Sequence, residues 1–247
     1  MRILLVNPNV SVSITQRLAQ VARGVAAPGT EITAVTAPRG VPYISCRAEA
    51  QLAGAVVLEM LAEHGAGHDA ALIGAFGDPG LWAARELFDL PVVGMAEASM
   101  HMAAMLGQRF SIVTFAPALG HWYRDCVEAS GLACRLAAIR SLTASFGSVD
   151  MVAEEKAEAL VRLCEVTVRE DDADVVVLAG APLAGLAGQI AHRVPVPLVE
   201  QVAAGIGQAE MLVRLATARG ASLRRPAPKT SQGLPPALAS RIAHADA

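Results

Sequence analysis

The chain has 247 residues, of which 53% are hydrophobic and 17% charged; this is enough apolar material for one large α/β domain or two close lobes, and it excludes extensive disorder. The net charge of −3 and the aromatic content of 4% argue against a nucleic-acid-binding protein. No apolar run approaches the roughly 18 residues of a transmembrane helix, so we expect a cytoplasmic protein without a membrane partner. The four scattered cysteines form no C-x-x-C pair and predict neither a disulfide framework nor a metal site.

Apolar runs of strand length alternate with helix-length amphipathic segments along the chain. The predicted strands are residues 3–6, 31–36, 92–93, 110–114, 135–139 and 197–199, with the apolar starts of segments 70–80 and 174–185. The predicted helices are 14–25, 50–61, 81–88, 97–105, one from about 118, 152–168, 186–192, 203–218 and a short one at 236–244. Residues 224–233 predict an extended or mobile tail. The alternation is typical of parallel sheets joined by right-handed crossovers.

The two segments that begin at residues 70 and 174 share one pattern of strand, small-residue turn and helix start. Asp69 precedes Ala75 by six positions, and Asp174 precedes Gly180 by six. This repetition predicts an internal duplication, and therefore an α/β fold of two similar Rossmann-like lobes with parallel sheets, related by a pseudo-twofold axis, with the ligand cleft between them. The expected divisions are a first lobe of residues 1–95 plus about 200–220, a second lobe of 96–199 and a C-terminal tail of 222–247.

The first of these turns is rich in glycine, which permits tight turning and close approach of the backbone to a ligand. Free N–H groups at the following helix start can hold an anion or a polarised carbonyl group. At the second turn Ala181 is the better donor, because Pro182 has no N–H. The substrate-binding residues predicted in the two turns are Phe76, Gly77, Gly180 and Ala181.

Several motifs occur in a fixed order over roughly residues 1–218. They are Asn7-Pro8-Asn9, Gly77-Asp78-Pro79-Gly80, Pro91-Val92-Val93-Gly94 with Glu97, Ile112-Val113-Thr114, Val177-Leu178-Ala179-Gly180-Ala181, and Pro197 with Val202-Ala203-Ala204. Together they resemble the hydantoin racemase branch of the aspartate/glutamate racemase superfamily. The resemblance implies a small-molecule substrate, no cofactor, a homo-oligomer, and two facing thiols that take and return an α-proton. It also implies N–H donors that stabilise an enolate oxygen. In the anion-binding site that the resemblance implies, Asn7, Asn9 and Thr114 are predicted to bind the substrate through side-chain hydrogen bonds.

The chain departs from this pattern at both cysteine positions of the resembled family. The first aligns with Ala75 and the second with Gly180, and no cysteine lies between positions 47 and 125 or between 165 and 247. Neither alanine nor glycine can transfer a proton. The two-thiol mechanism is therefore not expected here, and a related decarboxylase branch that keeps one of the two cysteines is matched no better.

Three carboxylates are candidate catalytic groups, each with a structural alternative. Asp78 could act as a base if burial raised its pKa, or it could be the N-cap of the helix after Pro79. Glu97 and Glu200 follow the two Pro-Val elements and are interpreted as counterparts. They could form an acid/base pair or serve as carboxylates at two helix N-termini.

Two further residues are weaker candidates near the expected mouth of the cleft. His121 begins the helix after Thr114 and can titrate near neutral pH, with Trp122 or Tyr123 as pocket walls, but a surface histidine is the structural alternative. Cys46 lies near a helix start, where a thiol pKa can be depressed.

These observations leave three hypotheses for the function. The first is an enzyme that acts without a cofactor on a small carbonyl, carboxylate or cyclic-amide compound, by racemase-like, hydrolase or lyase chemistry that does not use two cysteines. The second is a non-catalytic small-molecule-binding protein that retains the anion site. The third is a racemase whose cysteines were replaced by design, which Gly180 argues against.

Overall fold

The computed structural model describes residues 1–143, 147–149, 151–215 and 226–245. The strands are β1 Arg2–Asn7, β2 Glu31–Thr36, β3 Ala70–Ile73, β4 Val92–Gly94, β5 Phe110–Thr114, β6 Leu136–Ser141, β7 Val175–Leu178 and β8 Leu198–Glu200. The helices are α1 Val12–Val25, α2 Arg47–His64, α3 Leu81–Leu87, α4 Met95–Leu106, α5 Gly120–Ala129, α6 Val152–Asp171, α7 Leu186–Ile190, α8 Gln201–Arg214 and α9 Pro236–Ile242. The predicted alternation of strands and helices is confirmed.

The strands form two parallel four-stranded sheets of the same topology. Their strand orders are β2-β1-β3-β4 and β6-β5-β7-β8. Central strands β1, β3, β5 and β7 are buried along their whole length or nearly so, as expected for parallel strands covered by helices on both faces. The predicted α/β class with two similar lobes is confirmed.

The duplication extends to individual hydrogen bonds at the start of each sheet. The Asp69 carboxylate accepts from Arg2 N at 2.8 Å, and the Asp69 N–H donates to the Arg2 carbonyl at 2.7 Å. The Asp174 carboxylate accepts from Arg109 N at 2.9 Å, and the Asp174 N–H donates to the Arg109 carbonyl at 2.9 Å. Each aspartate therefore fixes the entry of its central strand against the neighbouring strand.

Several element ends differ from the sequence-based expectations. Helix α4 begins at Met95 rather than Glu97, and α8 begins at Gln201, because Glu200 caps that helix with its own side chain. Positions 216–218, at the end of the expected 203–218 helix, lie outside the described residues. The division of the chain into lobes 1–95 plus about 200–220 and 96–199 stays a prediction.

The C-terminal segment returns to the first half of the chain. Residues 226–235 have no regular secondary structure, and α9 packs on α2 with Leu238 buried. Arg241 donates to the Leu87 carbonyl at 2.9 Å and to Asp89 at 2.6 Å. The short helix expected at 236–244 is thus confirmed as α9, while positions 224–225 of the expected tail lie outside the described residues.

Candidate functional site

The turns after β3 and β7 are bridged by Tyr123 of α5. The Tyr123 ring lies 4.7 Å, centroid to centroid, from the ring of Phe76 in the first turn. Its hydroxyl oxygen lies 3.7 Å from the position that a Cβ atom would take at Gly180 in the second turn. The two turns are therefore close together, as the sequence-based expectation of one cleft between two similar lobes requires. Tyr123, which contacts both turns, was predicted only as a pocket wall.

Tyr123 belongs to an aromatic cluster of Tyr43, Phe76, Phe115, Trp122 and Tyr123. Ring centroids are 5.6 Å apart for Tyr43 and Phe115, and 5.9 Å apart for Trp122 and Tyr123. Burial raises the pKa of Tyr123 well above its usual value, and burial raises the pKa of Tyr43 as well. Both phenols are therefore neutral hydrogen-bond donors near neutral pH.

The Tyr43 hydroxyl is buried and has no hydrogen-bond partner among the described residues. Leaving a buried hydroxyl unpaired costs about 1–3 kcal/mol. A ligand carbonyl that reached this group would recover that cost. Sequence reasoning did not find Tyr43, because its neighbour Phe115 lies on a distant segment of the chain.

The first turn leaves backbone donors free. In the part of the chain that the structure describes, the N–H groups of Phe76 and Gly77 have no hydrogen-bond acceptor, and the same holds for Ala181 in the second turn. These are the backbone donors that the sequence predicts. Their use by a substrate stays a prediction.

Gly180 is held differently, through Gln201 at the N-terminus of α8. The Gly180 N–H donates to Gln201 Oε1 at 3.1 Å, and Gln201 Nε2 donates to the Gly180 carbonyl at 2.6 Å. Both backbone polar groups of Gly180 are therefore occupied, and the predicted Gly180 contact with a substrate has no free N–H in this structure. Gln201 is fully buried and was not among the predicted site residues.

The predicted side-chain donors hold the loops that surround the turns. The Asn7 amide donates to Asn9 Oδ1 at 3.0 Å, to the Ser11 carbonyl at 3.1 Å and to Thr15 Oγ1 at 2.9 Å. The Thr114 hydroxyl donates to the Ala179 carbonyl at 3.0 Å. Asn7 and Thr114 therefore use their donors within the protein, and the predicted substrate contacts of Asn7, Asn9 and Thr114 remain predictions.

Asp78 caps α4 and not the helix that follows it. Its carboxylate accepts from Ala96 N at 2.8 Å and from Glu97 N at 2.7 Å, whereas the N-cap of α3 is Gly80. The expected role as the cap before Pro79 is therefore wrong, because the side chain turns away from its own helix. Burial raises the pKa of Asp78 to about 7, even though the two N–H donors oppose that shift.

Glu97 and Glu200 are also engaged, in two unlike ways. Glu97 forms a two-point ion pair with Arg85, at 3.0 and 2.5 Å. Glu200 accepts from Ala203 N at 2.6 Å and from Gly185 N at 3.2 Å, and burial raises its pKa. Their interpretation as counterparts is wrong: in the sheet registers Glu200 pairs with Leu178 as Gly94 pairs with Ile73.

The two weaker candidates lie at the surface. His121 is exposed in the first turn of α5, and its carbonyl accepts from Arg47 at 3.3 Å. Cys46 is exposed at the N-cap of α2. The buried aromatic side chains that follow His121, and not His121 itself, reach the turns.

A groove between α2, α3 and α5 runs behind the first turn, with a volume of about 530 Å³. Asp78, Glu97, Trp82 and Cys126 are among its lining residues. The Cys126 sulfur lies 3.8 Å from the Gly77 carbonyl, and burial raises the pKa of this thiol to about 12. Cys126 is therefore protonated at neutral pH and does not supply a thiolate nucleophile.

A family model described as Asp/Glu/Hydantoin racemase matches residues 3–209. The chain belongs to this family. A hydantoin racemase from Paenarthrobacter aurescens is 37% identical over 235 residues, which cover 93% of this chain and 99% of that protein. Members of this racemase family that match the chain so completely support a racemase-type function.

Comparison with solved structures also finds racemases that resemble this chain. The allantoin racemase from Klebsiella pneumoniae superposes with a TM-score of 0.90 at 36% identity, covering 96% of this chain and 98% of that one. The maleate isomerase Iso from Pseudomonas putida S16 gives a TM-score of 0.63 at 15% identity over 99% of both chains, which shows the fold alone.

Among the helices in the described ranges, none is long and apolar enough to cross a membrane.

Proposed function

We propose that this racemase-family protein binds a small cyclic amide of the hydantoin or allantoin type between its two turns. We further propose that it exchanges the proton next to the carbonyl group on one face only, with Tyr123 as the proton-transferring group. The observation that carries the proposal is the 3.7 Å distance between the Tyr123 hydroxyl oxygen and the Cβ position of residue 180. The resemblance assigns the second family thiol to that position.

The first turn supplies the complementary electrostatic stabilisation. Solvent first removes the phenol proton from a small fraction of Tyr123 side chains, which leaves a phenolate. When the carbon–hydrogen bond breaks, its electron pair moves to the carbonyl oxygen and the proton moves to this phenolate oxygen. The unpartnered N–H groups of Phe76 and Gly77 are suited to stabilise the resulting enolate oxygen. Reversal of the same step returns a proton, or a deuteron from solvent, to carbon. No cofactor takes part in this sequence.

A two-thiol mechanism is not supported by the turns themselves. Ala75 is buried and carries no proton-transferring group. Gly180 has a φ of 117°, a conformation that favours glycine, and an added Cβ would lie 2.8 Å from the Phe115 ring. With an acid–base group on one side only, the proton leaves and returns on the same face, so exchange outpaces inversion.

The test combines proton NMR in D₂O with polarimetry on enantiopure 5-benzylhydantoin and allantoin. We expect deuterium to enter the α-position at least tenfold faster than optical rotation is lost, after subtraction of the rates without protein. Because the pKa of Tyr123 lies well above 10, the exchange rate should rise about tenfold per pH unit between pH 7 and 9. Equal rates of exchange and inversion would contradict the one-face mechanism.

Two phenylalanine variants assign the role of each phenol. Tyr123→Phe removes the proton-transferring oxygen and should abolish exchange. The matched control Tyr43→Phe removes an oxygen that has no partner in the described chain, so it should weaken ligand binding about tenfold while exchange at saturation persists. Undiminished exchange in Tyr123→Phe would exclude Tyr123 as the acid–base group.

A second candidate function, a non-catalytic binding protein, is favoured by one observation. The carboxylates of Asp78, Glu97 and Glu200 are all committed to helix N-termini or to an ion pair. Saturable ligand binding with neither exchange nor turnover would select this candidate over the first. Homo-oligomer formation and a cytoplasmic location remain further proposals, which sedimentation and cell fractionation would test.

A further inference from the structure

The two halves of the protein hold a half-buried carboxylate at the same place but supply it from different positions. In the first half Asp78, in the turn, accepts from Glu97 N in helix α4 at 2.7 Å. In the second half Glu200, at the end of β8, accepts from Ala203 N in α8 at 2.6 Å. Glu97 and Ala203 each stand three residues beyond the paired strand ends Gly94 and Glu200, so the two donors are equivalent.

The exchange of positions is reciprocal. Gly94 is the equivalent of Glu200 in the sheet register, and Leu183 stands five residues beyond the strand end Leu178, as Asp78 stands five beyond Ile73. Where one half has a carboxylate in the turn and glycine at the strand end, the other has leucine in the turn and glutamate at the strand end.

Backbone geometry shows that Gly94 is not required by its own conformation. Gly94 has φ −90° and ψ 136°, close to the φ −87° and ψ 121° of Glu200, and any residue adopts these angles. A Cβ at Gly94 would instead lie 2.4 Å from the Asp78 carboxylate carbon and 2.8 Å from Leu81 Cδ2, the end of a side chain that can turn aside. The Asp78 carboxylate is therefore the nearest group in the space that a side chain from residue 94 would fill.

The carboxylates of Asp78 and Glu200 each connect a turn to a helix by hydrogen bonds, to α4 in the first half and to α8 in the second. Asp78 belongs to the turn that contains the Phe76 and Gly77 donors and binds α4, and Glu200 also accepts from Gly185 N in the second turn at 3.2 Å. We propose that Asp78 and Glu200 are equivalent positioning residues, and that the carboxylate which fixes the first turn can be moved from position 78 to position 94. The proposal rests on the proposed function only in treating this turn as part of the substrate site.

The test is a relocation cycle in the full-length protein. Asp78→Gly removes the carboxylate, and glycine tolerates the φ of 49° at this position. Gly94→Glu alone places a second side chain against Asp78. We expect each single variant to lower the thermal midpoint by about 5–10 °C, and the double variant Asp78→Gly/Gly94→Glu to recover at least half of that loss.

A glutamine control separates the two acceptor oxygens of the carboxylate from mere filling of space. The double variant Asp78→Gly/Gly94→Gln has nearly the same volume as the relocated glutamate but one acceptor oxygen instead of two, so it cannot accept from the N–H groups of both Ala96 and Glu97 and should not recover. Amide hydrogen exchange reports the local effect: protection of residues 96 and 97 should fall at least tenfold in Asp78→Gly and return only with glutamate at 94. Equal recovery by glutamine, or no recovery by glutamate, would overturn the proposal.

The substrate-level readout uses 5-benzylhydantoin as the probe. The Asp78→Gly variant should lose at least tenfold in α-proton exchange at saturating probe, with a smaller change in KM, and the relocated glutamate should restore the rate. If the unmodified protein exchanges no proton, the proposed function fails, while the midpoints and amide protection still decide whether the carboxylate can be relocated.

Discussion

Placing a thiol at position 180 tests whether the second turn requires glycine there. We predict that Gly180→Cys lowers the free energy of unfolding by about 2–6 kcal/mol. About 1–3 kcal/mol comes from placing a non-glycine residue at φ 117°, and a similar amount from forcing its Cβ within 2.8 Å of the Phe115 ring. Ala75→Cys, at a position that already carries a Cβ, should cost less than about 1.5 kcal/mol.

Urea unfolding followed by circular dichroism measures both values, with a midpoint and a slope for each variant. Gly180→Ala supplies the decisive control, because it adds the Cβ without the sulfur and should account for most of the Gly180→Cys loss. The triple variant Ala75→Cys/Gly180→Cys/Phe115→Ala removes the Phe115 ring beside position 180 but keeps the backbone strain of a non-glycine residue at that position. A Gly180→Cys protein as stable as Ala75→Cys would refute the argument from strain and crowding.

Three other predictions concern single side chains. Gln201→Met, which copies the fully buried Met95 at the equivalent start of α4, should cost about 2–4 kcal/mol in urea unfolding, because both polar groups of Gly180 lose their partner. Asp78 has a pKa raised to about 7 in the folded state, so the stability that its protonated form contributes should be full below about pH 4 and lost as the pH rises through 7. Asp78→Asn should flatten that part of the profile of unfolding free energy against pH. A loss of stability toward low pH that disappears in the variant would contradict this sign. His121→Ala should leave both stability and ligand binding within about 0.5 kcal/mol of the unmodified protein, because the side chain is exposed; a larger loss of binding by calorimetry would return His121 to the site.

The sequence predicts the fold well because its strands are short apolar runs with clear ends. The strand at 110–114 and the turn at 74–80 depend on local patterns, and local patterns are visible in one sequence. The expected duplication followed from the same spacing of Asp69 and Asp174 before their turns.

The candidate site was harder to predict, because its contacts join distant segments. Asp78 was predicted to cap the helix that follows it in sequence. Its carboxylate instead accepts hydrogen bonds from the N–H groups of Ala96 and Glu97, 18 and 19 residues later. The Tyr123 side chain reaches turns that lie about 50 residues away on either side. No periodicity reports such contacts, since they arise only when the two sheets are packed.

The reciprocal placement of Asp78 with Gly94, and of Leu183 with Glu200, also has a consequence for sequence comparison. If one carboxylate is needed at each turn and two do not fit, the residues at these paired positions must change together in other chains of this fold. A mutation at either position alone would pass through a less stable protein, so the pair should be inherited as a unit. An alignment would then show an acid in one column and an uncharged residue in the other, and the two halves of a single chain already display both arrangements.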